Sequence, residues 1–316
     1  MNSNKKLRIA KNRKDDEFYT QYKDIEKEII HYKEQLVGKI IYCNCDNPKN
    51  SNFYKYLKNN FHNLQLKKII CSYLSQESYA YQYDGIKETQ IRLNSDGDFR
   101  CNECCKLLEE SDIIITNPPF SLFREYIDLI MKYNKKFLVI GNKNAINYNN
   151  IFFYIKDNKM KIGYERPNEF DTPQGTTMKL NGLCRWFTNL DVKEKRNTLK
   201  LTKKFDKSFY YKLENFDVIN VDKVKDIPFD YDGVMAVPIT YIDYYDEKEY
   251  EIIGRSGIID WAKSKECWFF TPPTKEKEME YKKENKCFRI QIPYILDSNG
   301  KPKMLYYRLF IRKRKG

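Results

Sequence analysis

Asn117-Pro118-Pro119-Phe120 is the stretch of this chain with the most to offer chemically. It follows an isoleucine-rich run, Ile113–Thr116, and precedes a segment with helical spacing. In an open α/β sheet, ligands bind beyond the carboxyl ends of the strands. Two successive prolines fix φ and remove two N–H donors. Each also holds the residue before it in extended geometry. The backbone here therefore offers stiffly held carbonyls beside one amide side chain and one aromatic ring. That set suits an exocyclic amine on a planar ring. The amine hydrogens can go to the Asn117 side-chain oxygen and the Pro118 carbonyl, which draws the nitrogen toward a pyramidal shape and frees its lone pair. Phe120 can stack on the ring, for about 1–3 kcal/mol. The lone pair could then attack an electrophilic methyl group held in line. The site supplies orientation and electrostatics, and needs neither a metal nor a nucleophilic side chain. The plainer reading is a proline turn that ends a strand; the flanking strand and helix favour the chemistry.

Such a bend needs a sheet to position it. Ile25, Ile29, Tyr32 and Leu36 fall at helical spacing, with Thr20 to cap the start and Gly38 to close the end. A strand is expected over 39–45. A helix capped by Asn50 or Ser51 follows, with Phe53, Leu57 and Phe61 on one face, then a second strand over 68–73. Residues 79–93 read as a hairpin turning at Asp84-Gly85, and Asp96-Gly97-Asp98 as a further turn. Beyond a helix near 103–109 and the strand before the bend, Leu122, Tyr126, Leu129 and Tyr133 mark the next helix. A strand over 137–141, a helix near 146–156 and strands near 160–164 and 183–188 complete the pattern. It predicts a doubly wound, mostly parallel α/β sheet in a domain over 1–192. A charged, link-like stretch, 193–204, opens a smaller and less regular domain over 193–316. Strand patterns appear there at 232–241, 249–253 and 287–295.

Composition narrows the classes. Of 316 residues, 41% are hydrophobic, enough to close a large core. No stretch approaches the ~20 apolar residues of a membrane span, and no apolar segment follows the basic start as in a signal peptide. A cytoplasmic location is expected, in a prokaryote or from a phage, with no membrane partner. Nine cysteines argue against a disulfide framework. With two histidines and no second C-x-x-C beside Cys101 and Cys104, no metal is expected. The same scarcity of histidine argues against a Ser-His-Asp hydrolase, and neither G-x-x-x-x-G-K nor G-x-G-x-x-G occurs. The net charge of +13 resides wholly in the two ends. Residues 1–14 carry six bases and 301–316 carry seven, with no acid in either. Such ends suit a phosphate backbone or an anionic surface; the plainer reading is a solvated tail at each terminus.

The chain resembles the S-adenosylmethionine-dependent amino-methylating DNA methyltransferases, most closely the EcoRI-methylase type of adenine-specific enzyme. The resemblance runs from about residue 15 to 190. It rests on DEFYTQYKDIEKE (15–28), IIYCNCDNP (40–48), GDF (97–99), DIIITNPPFSLFREY (112–126), FLVIGNKNAI (137–146) and LCRWFTNL (183–190). The run through NPPFSLFREY is the specific one. What the resemblance implies is a seven-stranded methyltransferase sheet with one antiparallel strand. Phe18, Tyr19 and Thr20 would close over the methionine part of the cofactor. Asp46 would sit at the cofactor-binding turn, and Asp98, followed by Phe99, would reach the cofactor's adenine end. Asn117, Pro118, Pro119 and Phe120 would hold a target adenine turned out of double-stranded DNA. The partners would be that DNA and, in a restriction-modification or phage-defence setting, a companion endonuclease. One departure matters. The family's glycine-rich F-x-G-x-G loop is replaced by Cys45-Asp46-Asn47-Pro48-Lys49-Asn50-Ser51. Glycine lets a backbone approach a ligand closely, so either the cofactor sits differently here or binding is lost. The second strand also ends without an acid, in Cys71-Ser72-Tyr73.

Two other readings stand beside this one. RNA and protein-glutamine methyltransferases also carry NPP-aromatic segments; Phe120, the basic ends and the size of the C-terminal region weigh against them. A DNA-binding module with a decayed cofactor site draws support from the missing glycines alone.

Overall fold

A computed structural model of the chain describes residues 19–172, 175–180, 182–193, 199–258 and 262–314. Phe18, expected at the cofactor, and the basic stretch 1–14 lie outside the described residues. The chain divides into two compact units, Met1–Glu194 and Lys195–Gly316.

The first unit is built on strands β1 (Tyr19–Thr20), β2 (Ile40–Cys43), β3 (Lys68–Cys71), β4 (Tyr79–Tyr83), β5 (Glu88–Arg92), β6 (Ile113–Thr116), β7 (Lys136–Asn142), β8 (Lys161–Ile162), β9 (Glu169–Asp171), β10 (Thr177–Lys179) and β11 (Cys184–Thr188). Its longer helices are α1 (Tyr22–Ile29), α2 (Asn52–Asn59), α3 (Asn102–Glu110), α4 (Phe123–Lys132) and α5 (Asn149–Lys156). Eight strands form the central sheet, in the order β5-β4-β3-β2-β6-β7-β11-β8. The four in the middle are parallel. On one flank β11 and β8 pair antiparallel in turn. On the other, β4 runs antiparallel to β3, with Ile69 opposite Tyr83, and β5 antiparallel to β4.

Among the described residues the central sheet therefore has eight strands rather than the expected seven, and two of them, β4 and β11, oppose the rest. The cause is local. A tight turn at Asp84-Gly85, where Gly85 has φ +96°, returns the chain at once, so the edge is extended by a hairpin instead of a helical crossover.

Both faces of the sheet are packed. Ile41, Cys43, Ile69, Ile113, Ile115, Leu138 and Trp186 point to the side covered by Ile25 and Ile29 of α1 and Phe53 and Leu57 of α2. Alternate residues point the other way, where the ring of Phe123 in α4 lies against Gly141 and Phe187. The buried stripe of α4 is Phe123, Tyr126, Ile127 and Ile130. This departs from the Leu122/Tyr126/Leu129/Tyr133 stripe that spacing suggests. Two apolar stripes share Tyr126, and the sheet selects the one carrying two isoleucines. Thr20 does not cap α1; it belongs to β1, and Gln21 takes the cap position. Ser51 caps α2, accepting from Phe53 N and Tyr54 N.

The described residues of the second unit hold strands β12 (Ile219–Asn220), β13 (Met235–Pro238), β14 (Tyr250–Arg255), β15 (Tyr294–Leu296), β16 (Pro302–Met304) and β17 (Arg308–Lys313), and the helix α6 (Lys275–Glu284). Its larger sheet runs β12-β13-β17-β14. The basic C-terminal stretch is thus no tail over its described part. β17 lies between two partners, with Leu309, Phe310 and Ile311 fully buried. Five of its bases already hold folded partners. Lys301 pairs with Glu284, and Arg308 bonds Asn220. Arg312 forks onto Glu251, while Lys313 and Arg314 donate to the carbonyls of Phe229 and Glu247. Only β15, not the full 287–295 pattern, forms a strand there.

Among the described residues, no helix is long and apolar enough to cross a membrane. No group of three His, Cys, Asp or Glu side chains among them is placed to hold a metal. All nine cysteines are free thiols.

Candidate active site

The four middle strands end at one edge, and the loops leaving them converge there. β6 delivers the bend. Thr116 is fully buried, Asn117 half-buried, Pro118 buried, and Pro119 and Phe120 half-buried. Leu122 N donates back to the Pro119 carbonyl at 3.0 Å, closing the single 3-10 turn that leads into α4. Phe120 packs against the core cluster on the α1/α2 side of the sheet.

Beside the bend lies the loop after β2. Asn47 turns it with its own side chain. Lys49 N donates to Asn47 Oδ1 at 3.0 Å, and Asn50 N and Ser51 N donate to the Asn47 carbonyl. No residue from 44 to 51 adopts a positive φ. This accounts for the missing glycines: the side chain of Asn47 does the turning, so no left-handed backbone is required.

Asp46 is 8% exposed, and its carboxylate is engaged on all sides. It accepts from Ser51 Oγ at 2.7 Å, from Thr116 Oγ1, and from the backbone N–H of Asn117. Burial raises its pKa to about 6, against the pull of those three donors. Its backbone is fixed as well, because its N–H donates to Ser72 O and its carbonyl accepts from Cys71 Sγ at 2.9 Å.

Tyr19 pairs with Asp171 of β9, and Thr20 reaches the same region through α2. Asn52 Nδ2 donates to the Thr20 carbonyl at 2.8 Å, next to the Ser51 that bonds Asp46. The Thr20 hydroxyl is buried, with no hydrogen-bond partner among the described residues. Phe99 is buried edge-on against Tyr126, 5.0 Å between centroids, and Tyr126 donates to Asn44 Oδ1, two residues before Asp46. Asp98 forks onto Arg100, Oδ1 to Nε at 2.8 Å and Oδ2 to Nη2 at 2.7 Å, which holds its pKa below the usual range. Gly97 ahead of it has φ +78°, and a Cβ there would strike Ser78 and the Tyr73 carbonyl. Glycine is thus required where this loop meets the loop after β3.

Thr20, Asp46, Phe99 and the bend are therefore tied into one hydrogen-bonded and packed region: Thr20 through Asn52 and Ser51 to Asp46, Asp46 to the bend, and Phe99 through Tyr126 and Asn44 to the same loop, whereas the Asp98 carboxylate is held by Arg100. Sequence reasoning missed Asn44, Thr116 and Tyr126, and saw Ser51 only as a cap. The signal for Thr116 was present: a lone polar residue closing an all-isoleucine strand. Ser72, at the end of β3, is fully buried and bonded to Tyr42 at 2.7 Å, so it faces the interior.

A mostly parallel α/β sheet with a proline-stiffened bend beyond its carboxyl edge fits a group-transfer enzyme of the methyltransferase class. The comparisons make this specific. The family model described as "Adenine-specific methyltransferase EcoRI" matches residues 6–91 and 78–314, and the chain belongs to that family. It is similar to Type II methyltransferase M.EcoRI of Escherichia coli, 42% identical over 320 residues, with 88% of this chain and 98% of that one covered. Type II methyltransferase M.MgeORF184P of Mycoplasma genitalium is 38% identical, covering 77% of this chain and 84% of its own. For Type II methyltransferase M.MpnI of Mycoplasma pneumoniae the figures are 33%, 77% and 83%. No solved structure matches the chain significantly. The chain is accordingly a site-specific, adenine-specific DNA methyltransferase.

Proposed function

We propose that the enzyme methylates N6 of an adenine turned out of duplex DNA, with S-adenosylmethionine as methyl donor. The observation that carries this is the place of Asn117-Pro118-Pro119-Phe120. The bend leaves the carboxyl end of β6, beside the loop of the neighbouring parallel strand, and offers no N–H at two successive positions. A backbone of that kind accepts and does not donate, which matches the two hydrogens of an exocyclic amine.

The donor fits the residues present. The buried Thr20 hydroxyl has no hydrogen-bond partner among the described residues, a polar group that a bound donor could satisfy, and Phe18, Tyr19, Thr20, Asp98 and Phe99 are the residues that would hold the cofactor. When bound, S-adenosylmethionine supplies a methyl group activated on a cationic sulfonium. The chain's own residues do the rest. Asn117 Oδ1 and the Pro118 carbonyl accept the two N6 hydrogens and aim the lone pair. Phe120 stacks on the base, which offsets part of the few kcal/mol needed to unstack it. Tyr19 would offer its ring to the cationic sulfur, a contact worth about 0.5–2 kcal/mol.

Residues 1–192 form the catalytic part in this reading, and 193–316 contact phosphates and read the sequence. The setting is a cytoplasmic restriction-modification pair with a separate endonuclease. The test uses labelled S-adenosylmethionine and duplex oligonucleotides in which each adenine is replaced in turn. Label on N6 of one adenine context is the expected result; label only in RNA or protein sinks the reading.

A further inference from the structure

We infer that Asp46 is a positioning residue for methyl transfer, its carboxylate setting the place of the Asn117-Pro118 bend. The inference rests on the function proposed above and deepens it. It gives the loop after β2 a mechanical task in place of the cofactor contact expected from sequence.

Backbone donors are scarce at the bend. Pro118 and Pro119 have no N–H, so the segment from 117 to 119 owns a single backbone donor, that of Asn117. Asp46 takes it. The same carboxylate takes the hydroxyl of Thr116, the last residue of β6. The strand's end and the bend's start are thus pinned to one side chain on the neighbouring strand's exit loop. Ser51 Oγ supplies a third bond at 2.7 Å, and it also caps α2. The anchor is itself held, because its N–H donates to the Ser72 carbonyl and its carbonyl accepts from Cys71 Sγ. A carboxylate 8% exposed with three protein donors is committed to the protein. The amine acceptors, Asn117 Oδ1 and the Pro118 carbonyl, follow directly from the pinned residue. A shift near 1 Å in such a group costs about a hundredfold in rate.

Asp46→Asn keeps one acceptor oxygen but turns an –NH2 toward groups that donate. Thr116→Val removes one bond, and Thr116→Ser restores it. Three measurements decide the matter: binding of labelled S-adenosylmethionine at equilibrium, kcat at saturating cofactor and DNA per cofactor-binding site, and hydrogen exchange at the Asn117 amide. D46N should bind cofactor within about threefold of the parent while kcat falls about a hundredfold. T116V should lose roughly tenfold in kcat, and T116S should recover to within about twofold. The Asn117 amide should exchange at least about tenfold faster in D46N. Counting cofactor-binding sites removes any loss from misfolding. A D46N enzyme with parental kcat and a raised KM for cofactor would make Asp46 a cofactor ligand and overturn the inference. Unchanged amide exchange would overturn it too, even if the parent transferred no methyl at all, a result that would sink the functional reading separately.

Discussion

Two buried carboxylates do similar structural work at two places in the first unit. At the bend, Asp46 gathers Ser51, Thr116 and the Asn117 amide. At the seam between α1 and residues 163–165, Glu28 is fully buried and gathers three donors as well. Tyr32 donates to Oε1 at 2.7 Å, and Tyr164 N and Glu165 N complete the set at 3.0 and 2.6 Å. Gly163 is the close neighbour there, since a Cβ would strike Glu28 and Trp186. Burial raises both pKa values, to about 6 and about 7. The difference is what each holds. Asp46 holds residues that would touch the substrate, whereas Glu28 holds one helix to one loop. The same chemistry should therefore read out as rate in one place and as stability in the other.

The sharpest break would come from the bend itself. Asn117→Ala removes one of two acceptors and should cost about a hundredfold or more in kcat, with cofactor binding intact. A fully active N117A would end the distinction, because the bend would then hold no substrate. Next is Glu28→Gln, which should leave turnover within about twofold. Its signature is pH-dependent stability. Folding raises the Glu28 pKa from 4.5 to about 7, so the native state holds this proton more tightly than the unfolded chain. That stabilisation is complete below pH 4.5 and is lost as pH rises through 7. A glutamine side chain cannot ionise, so melting temperatures from about pH 5 to 8 should show the variant gaining on the parent by several degrees. The facing groups are Tyr32, Tyr164, Glu165 and the His31 stacked on Tyr164. A difference that stays flat across that range would remove Glu28 from the comparison.

The smallest effect concerns bases rather than acids. Six neutralised phosphates would give a log–log salt slope of about −5 for DNA binding. Arg312 is forked onto Glu251, so Arg312→Gln should change that slope by much less than about 1. A change near 1 would mean that the arginine abandons its carboxylate for a phosphate.

Much of the bend was legible in the sequence, since prolines and a polar residue after an isoleucine run state their geometry locally. The sheet's core was legible for the same reason: Ile113, Ile114 and Ile115 cannot be anywhere but inside. What stayed hidden depends on distant partners. The hairpin at 79–92 can be read from Asp84-Gly85, but its docking on β3 is a tertiary pairing. Glu28 sits in an amphipathic helix, where a glutamate looks exposed. The acids and carbonyls that engage Arg308, Arg312, Lys313 and Arg314 come from segments many residues away. Composition reads those four as a charged end, although the LFI between them already had the look of a buried strand.

The seat of β17 has a consequence for how the second unit comes into being. β13 and β14 have no direct pairing with each other; each is completed only by a segment that follows it much later in the chain. Closing that sheet waits on a long-range encounter, which slows folding relative to a local hairpin. Before it, two apolar strand edges stand open. A newly made chain would pass through a period in which its first unit is complete and its second is still adhesive, so chaperone demand should fall mainly on residues beyond 218.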